Sequence, residues 1–249
     1  MVNRHIHFER LHNFRDLGGY PTEDGQVVRW QRLFRSDSLS KLRDEDWTSF
    51  LNLGVTTVID LRYPWEIDRA GQVRHHPSLA YHNLSIEHRP YDQAALGPEI
   101  ETGPYLAERF VEVANDGVAE IRRALEVIAE ADGPTVFHCA SGKDRTGLLA
   151  ALVLTLLGVS EERIIEDFTL TELATERLVA DWRAAYPGKE LTWPGYGRAP
   201  AEVMRLFLDA LTAEHGSVHG YTTDLLGVDA DLIAALRRNL LEPAQSVGE

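Results

Sequence analysis

A strand, a tight loop and a helix follow one another without a spacer near the middle of the chain, and that order constrains the fold more than any other feature. Thr135-Val136-Phe137 is a short β-branched and aromatic run, and Leu148 to Leu157 is an apolar run of helix formers. Between them lies His138-Cys139-Ala140-Ser141-Gly142-Lys143-Asp144-Arg145-Thr146-Gly147. Backbone N–H groups in such a loop and in the first helical turn have no partners within the helix, and they carry the positive end of its dipole. Cys139, the single cysteine of the chain, sits in the loop, and Arg145 stands at the mouth of the helix. This layout is an anion site with a nucleophile at its floor. A phosphate dianion fits the amides, a planar guanidinium can grip two of its oxygens, and the same field favours the thiolate.

Spacing argues against two other chemistries. A nucleotide-binding loop needs Gly five residues before the Gly-Lys pair and Ser or Thr after it; here those positions hold Phe137 and Asp144. A Cys-His protease dyad is disfavoured because His138 and Cys139 are neighbours leaving a strand, so their side chains point to opposite faces.

The ten-residue string resembles the signature loop of the cysteine-dependent phosphatases, the protein tyrosine phosphatase superfamily. Three further stretches, Asn13-Phe14-Arg15-Asp16-Leu17-Gly18-Gly19-Tyr20, Leu33-Phe34-Arg35-Ser36 and Ile59-Asp60-Leu61-Arg62, resemble the bacterial tyrosine/serine branch, which carries Lys-Asp inside the loop. The resemblance covers residues 13 to 170 and reappears weakly from Tyr221 to Leu241. It implies a protein tyrosine phosphatase, with dual tyrosine/serine activity and phosphoinositides as further substrates of the branch. The Trp-Pro-Asp acid loop of eukaryotic-type enzymes has no counterpart, since Trp193-Pro194 is followed by Gly195.

Composition agrees with an ordinary globular protein, at 44% hydrophobic and 26% charged residues. One cysteine excludes an internal disulfide and suits a reducing cytosol. The segment Met1 to Asp16 is studded with His, Arg and Glu and lacks an apolar signal region, so a cytoplasmic location is expected. Leu148 to Val159 is too short an apolar run to span a bilayer, so no integral membrane segment is expected. A net charge of −14 argues against nucleic-acid partners and leaves phosphate selectivity to local groups. The pairs His5/His7 and His75/His76 lack a matching set of ligands, so neither metal nor cofactor is expected.

Strands interleave with helices in the first part of the chain and helices dominate the rest. Leu17 to Ser36 reads as a hairpin turned at Asp24-Gly25, Asp44 to Leu53 as a helix, Val55 to Leu61 as a buried parallel-type strand and Leu79 to Leu84 as another strand. Pro64 opens a short helix, and Tyr105 to Glu130 holds one or two helices with Gly117 as the break. Helices then include Glu161 to Ala174, Thr175 to Ala185, Ala201 to Leu211 and Asp229 to Leu241. The expectation is one α/β phosphatase domain over residues 1–249, with a central, mostly parallel sheet flanked by helices and a helical C-terminal part. The Pro- and Gly-rich stretch Tyr186 to Pro200 interrupts those helices, and a surface connection and a hinged lid around 175–200 both fit it.

The reaction inferred is phosphomonoester hydrolysis through a cysteinyl-phosphate, with Cys139 as nucleophile and Arg145 with the loop amides stabilising the equatorial oxygens. Two carboxylates compete as the acid: Asp144, which is favoured and which could instead cap the helix, and Asp60, which could instead pair with Arg62. Ala140, Ser141, Gly142, Lys143 and Thr146 are expected to hold substrate, and Arg35 and Arg62 to line the pocket. His138 is expected to brace the loop, and Asn13, Arg15 and Asp16 to tie the N-terminal part to the sheet. The rival readings are a phosphatase for phosphoinositides or small sugar phosphates and, in a different class, an inactive phosphate-reading module.

Overall fold

A computed structural model describes residues 4–86, 89–90 and 92–244. Its strands in chain order are β1 (Arg15–Asp16), β2 (Gln26–Val28), β3 (Leu33–Ser36), β4 (Thr57–Asp60), β5 (Ala80–Asn83), β6 (Thr135–His138) and β7 (Leu241–Pro243). Five of them form one sheet in the order β1-β3-β6-β4-β5, and only the β1–β3 pairing is antiparallel. The strand that feeds the cysteine loop is therefore central. Its neighbours β3 and β4 end beside it, in register Ser36↔His138 and Asp60↔His138.

Strand residues alternate between two apolar layers, as the period of two requires. Phe34, Val58 and Val136 face a cluster with Phe8, Phe14 and Phe50, while Leu33, Ile59 and Phe137 face a larger one. The helices are α1 (Asp44–Asn52), α2 (Pro64–Ala70), α3 (Thr102–Asp116), α4 (Val118–Glu130), α5 (Asp144–Leu157), α6 (Glu161–Thr169), α7 (Thr175–Ala185), α8 (Ala201–His215), a single turn α9 (Val218–Gly220) and α10 (Ala230–Leu240). Helix α5 is apolar all round because it is buried all round. Leu148, Leu149, Leu152, Val153, Leu154 and Leu157 are fully inaccessible, and each stabilises the fold by about 1.5–3 kcal/mol relative to exposure. Gly158 ends the helix in the left-handed conformation, φ +83°. Among the described residues no helix is long and apolar enough to cross a membrane.

The central, mostly parallel sheet flanked by helices is as expected, and Gly117 does divide α3 from α4. One local reading needs correction. Residues 17–36 do not form a single hairpin. The turn at Asp24-Gly25 closes a small loop in which Pro21 bridges Val27, but β2 then pairs with β7, and Leu33-Phe34 joins the main sheet. Strand β7 follows the last helix directly and is only three residues long, too short to show a period in the sequence.

Candidate active site

The loop from Cys139 to Lys143 leaves the end of β6 and passes directly into α5. Its carbonyls are held outward from three sides. Ala140 O accepts from Ser38 N–H at 3.1 Å, Ser141 O from Asn13 Nδ2 at 3.0 Å, and Gly142 O from both Asn13 Nδ2 and Arg35, at 3.1 and 2.8 Å. Peptide groups whose carbonyls are pinned outward turn their N–H groups to the other side. No backbone N–H from Ala140 to Asp144 donates to another protein group among the described residues, as expected at the N-terminus of a helix built to take an anion. Gly142 is required here on two counts. Its φ is +69°, and a Cβ would lie 2.6 Å from the carbonyl of Ser36.

A buried ionic cluster sits behind the loop. Asp167 of α6 accepts from Arg15 Nε at 3.0 Å and from Arg35 at 2.5 Å, and all three side chains are buried. Burial pushes Asp167 up, but the two guanidinium groups overcome it and hold the carboxyl down at about 2. Asp37, also buried, accepts from the N–H groups of His12 and Asn13 at 3.1 Å and from Lys41 at 3.2 Å. The N-terminal motif residues thus brace the loop from behind: Asn13 holds its carbonyls and Arg15 holds Asp167, whose partner Arg35 reaches Gly142 O. Asp16 braces a turn, accepting from Gly18 and Gln31 N–H at 2.7 and 2.6 Å.

Cys139, Ala140, Ser141, Lys143, Asp144 and Arg145 line one cavity of about 430 Å³. Cys139 is only 2% exposed. The roof comes from the segment 175–200: Leu178, Asp181, Trp182 and Tyr186 of α7 and its C-cap, joined by Tyr196 and Gly197. The spacing 178, 181/182 and 186 is one face of a helix. Trp182 packs on Tyr186 and Tyr196 at ring distances of 5.2 and 5.9 Å. Asp181 ties this roof to the body through Lys41 at 2.8 Å and His12 at 3.1 Å. At the far end, Trp193 donates to Ile100 O at 2.9 Å and is buried.

The charges of the cavity are paired. Arg145 meets Glu66 of α2 at 2.6 and 3.0 Å. Burial pushes Glu66 up, and the hydrogen bonds and charge of Arg145 outweigh it, so the carboxyl lies below its usual range. Lys143 Nζ is 3.3 Å from Asp144 Oδ1 and donates to Gln93 Oε1 at 3.2 Å, while Gln93 Nε2 donates to Asp144 Oδ2 at 3.0 Å.

The two acids proposed from the sequence lie in different surroundings. Asp144 opens α5 as its first residue, makes no side-chain cap, and lines the cavity. Asp60 is fully buried at the end of β4 and does not line it. It accepts from Arg62 through Nε, a terminal nitrogen and the backbone N–H, and from Tyr81 Oη at 2.9 Å. Burial raises Asp60, but His138 and Arg62 more than offset it, so its pKa falls below the ordinary value. Arg35 lies behind the loop instead of in the pocket, because Asp167 and Gly142 O claim its guanidinium. Arg62 is drawn away by Asp60 and reaches only a neighbouring cleft. Thr146 is inaccessible, and its hydroxyl makes no hydrogen bond among the described residues. His138 is buried with Nδ1 3.1 Å from Cys139 O, and burial lowers its pKa.

Sequence reasoning missed Glu66, Gln93, Lys41 and Asp167. Glu66 had a signal, because it stands three residues after Tyr63, whose N–H it accepts at 2.9 Å, ahead of a Pro-initiated helix. Asp167 also had one, as an acid on the apolar face of Ile164 and Phe168. Gln93 lies on a three-residue turn in an irregular stretch and had none.

A model of the tyrosine phosphatase family matches residues 6–242. A Cupriavidus necator protein named as a tyrosine-protein phosphatase is 31% identical, over 94% of this chain and 87% of its own. The triple specificity protein phosphatase PtpB of Mycobacterium tuberculosis is 27% identical over 95% of this chain and 88% of its own, and a tyrosine-protein phosphatase of Nostoc commune is 28% identical over 83% and 73%. Among solved structures, TpbA of P. aeruginosa is matched over 89% of this chain and 94% of its own at 15% identity, with a TM-score of 0.31, too low to compare positions.

Proposed function

The chain belongs to the tyrosine phosphatase family, and from that premise we propose that it hydrolyses phosphotyrosine in proteins through a cysteinyl-phosphate on Cys139. The observation that carries this reading is the set of outward-pinned carbonyls at Ala140, Ser141 and Gly142, which turns the loop amides toward the cavity that Cys139 lines. In the first step the Cys139 sulfur attacks phosphorus, the S–P bond forms and the P–O bond to the tyrosyl oxygen breaks. Arg145 and the loop amides take up charge on the equatorial oxygens. Asp144 gives its proton to the leaving oxygen. In the second step water attacks phosphorus, the S–P bond breaks, and the Asp144 carboxylate takes the proton of the water. Inorganic phosphate leaves and the thiolate is restored.

The aromatic roof supports an aryl ester as the preferred substrate. Trp182, Tyr186, Tyr196 and Leu178 give apolar walls above the loop. A phosphoinositide headgroup would ask for unpaired cations, whereas Lys41, Lys143 and Arg145 each have a carboxylate partner. We therefore place phosphotyrosine ahead of phosphoinositides and sugar phosphates. The whole chain is read as one phosphatase domain in which residues 175–200 form a lid, working in the reducing cytoplasm that a thiolate needs.

Leaving-group dependence tests the assignment of the acid. A general acid matters most when the leaving group is poor. Asp144→Asn should lose far more kcat/KM on phenyl phosphate than on a nitrophenyl phosphate. Asp60→Asn should lower both by similar factors, because Asp60 only fixes Arg62 and the end of β4. The reverse pattern would make Asp60 the acid.

A further inference from the structure

Gln93 lies outside every motif of the chain, yet its amide touches both Lys143 and Asp144. Its place is held from two sides. Asp92 accepts from Ala94 N–H at 3.0 Å and so caps the turn Gln93–Ala95, and Leu96 O accepts from Thr192 at 3.0 Å. The orientation of the amide follows from chemistry. Lys143 Nζ has donors only, so it must face Oε1, at 3.2 Å, and Nε2 is left to donate to Asp144 Oδ2 at 3.0 Å.

This arrangement makes the two oxygens of Asp144 unequal. Oδ2 is held by the Gln93 N–H. Oδ1 is buried and makes no hydrogen bond among the described residues, and its neighbour is the Lys143 ammonium, 3.3 Å away. We propose that Gln93 is a positioning residue that fixes the carboxyl group of Asp144 through Oδ2 and takes a share of the Lys143 ammonium, keeping that carboxyl in place to serve the leaving oxygen. The inference rests on the reading of Asp144 as general acid. Lys143 is only 1% exposed, so without Gln93 it has little water to turn to. Its ammonium would close on Oδ1, tighten the ion pair and pull the carboxyl away from the leaving oxygen.

The test pairs Gln93→Met, which keeps side-chain bulk without the amide, with Gln93→Ala, Asp144→Asn and the double variant Gln93→Met/Asp144→Asn. The readout is kcat/KM on phenyl and nitrophenyl phosphates, which covers the phosphorylating step. Each Gln93 variant should lose roughly tenfold on phenyl phosphate, part of the 10²–10⁴-fold that a general acid supplies, and under about twofold on nitrophenyl phosphate. The double variant should be no slower on phenyl phosphate than Asp144→Asn alone, because both changes remove one function. Equal losses on the two substrates, no loss, or losses that multiply in the double variant would overturn the role of Gln93. Asp144→Asn keeps the two failures apart. If it shows no leaving-group dependence, the acid assignment itself falls and this inference with it; if it does and the Gln93 variants do not, only Gln93 is misassigned.

Discussion

Glu66 holds Arg145 through both terminal nitrogens of its guanidinium, at 2.6 and 3.0 Å. The fork read from the sequence as a grip on phosphate is thus first a grip on α2, and the pair sets the plane of the guanidinium before any ligand arrives.

Glu66→Gln separates this role from helix capping. Glutamine still offers an acceptor to the N–H of Tyr63, so the cap of α2 survives and the melting temperature should fall only by the several degrees that the lost ion pair accounts for. Replacing a charged partner by a neutral one costs about 1.5–3 kcal/mol, which is roughly a 10–100-fold fall in kcat/KM if Arg145 is misaligned. Steady-state kinetics on an aryl phosphate, with thermal melting alongside, checks both. Unchanged kcat/KM would show that Arg145 keeps its aim without Glu66.

The cluster behind the loop makes a statement about acid stability. The Asp167 carboxyl lies at about 2, against an ordinary 3.8. A depressed carboxyl contributes stability that is fully present above its unfolded value and is lost as pH falls through its folded value. The Asp167 contribution, about 2 kcal/mol from a shift of this size, should fade from about pH 4 down to about pH 2. Denaturant titrations over that range should show the slope in the native chain and a flatter one in Asp167→Asn. The variant should also be about 3–5 kcal/mol less stable near neutrality, because two buried arginines lose their partner. An equal slope in both proteins would contradict the assignment.

The roof is latched to the body at Asp181, which meets both Lys41 and His12. The partly exposed Lys41–Asp181 ion pair contributes about 0.2–1 kcal/mol. Asp181→Asn should therefore raise the alkylation rate of Cys139 by a few-fold, since this thiol is nearly closed to solvent. A rate equal to that of the native chain would mean that the latch does not govern access.

What the sequence made legible followed from local rules. Thr135 to Leu157 announced strand, loop and helix because composition and spacing act within one turn of the chain, and Gly117 acts where it stands. The outcome at Arg35 and Arg62 was not legible. Both stand at or after the predicted strands and so were expected in the pocket, but Asp167 and Asp60 draw them away, and such a competition is settled only when α6 and β4 pack. Gln93 was hidden for the same reason. It lies 50 residues from Lys143 and 51 from Asp144, with no periodicity to mark it. The split of residues 17–36 between two sheets depended on β7, more than 200 residues further along the chain.

A covalent phosphoryl group on Cys139 can be observed directly. The protein is mixed with a large excess of nitrophenyl phosphate, quenched in acid within the first turnovers, digested and analysed by mass spectrometry. One added phosphoryl group is expected on the peptide that carries Cys139 in the native chain and none in Cys139→Ser, whose turnover is lost. Steady turnover with no phosphoryl group on Cys139 at any quench time, or near-native activity in Cys139→Ser, would contradict the covalent intermediate.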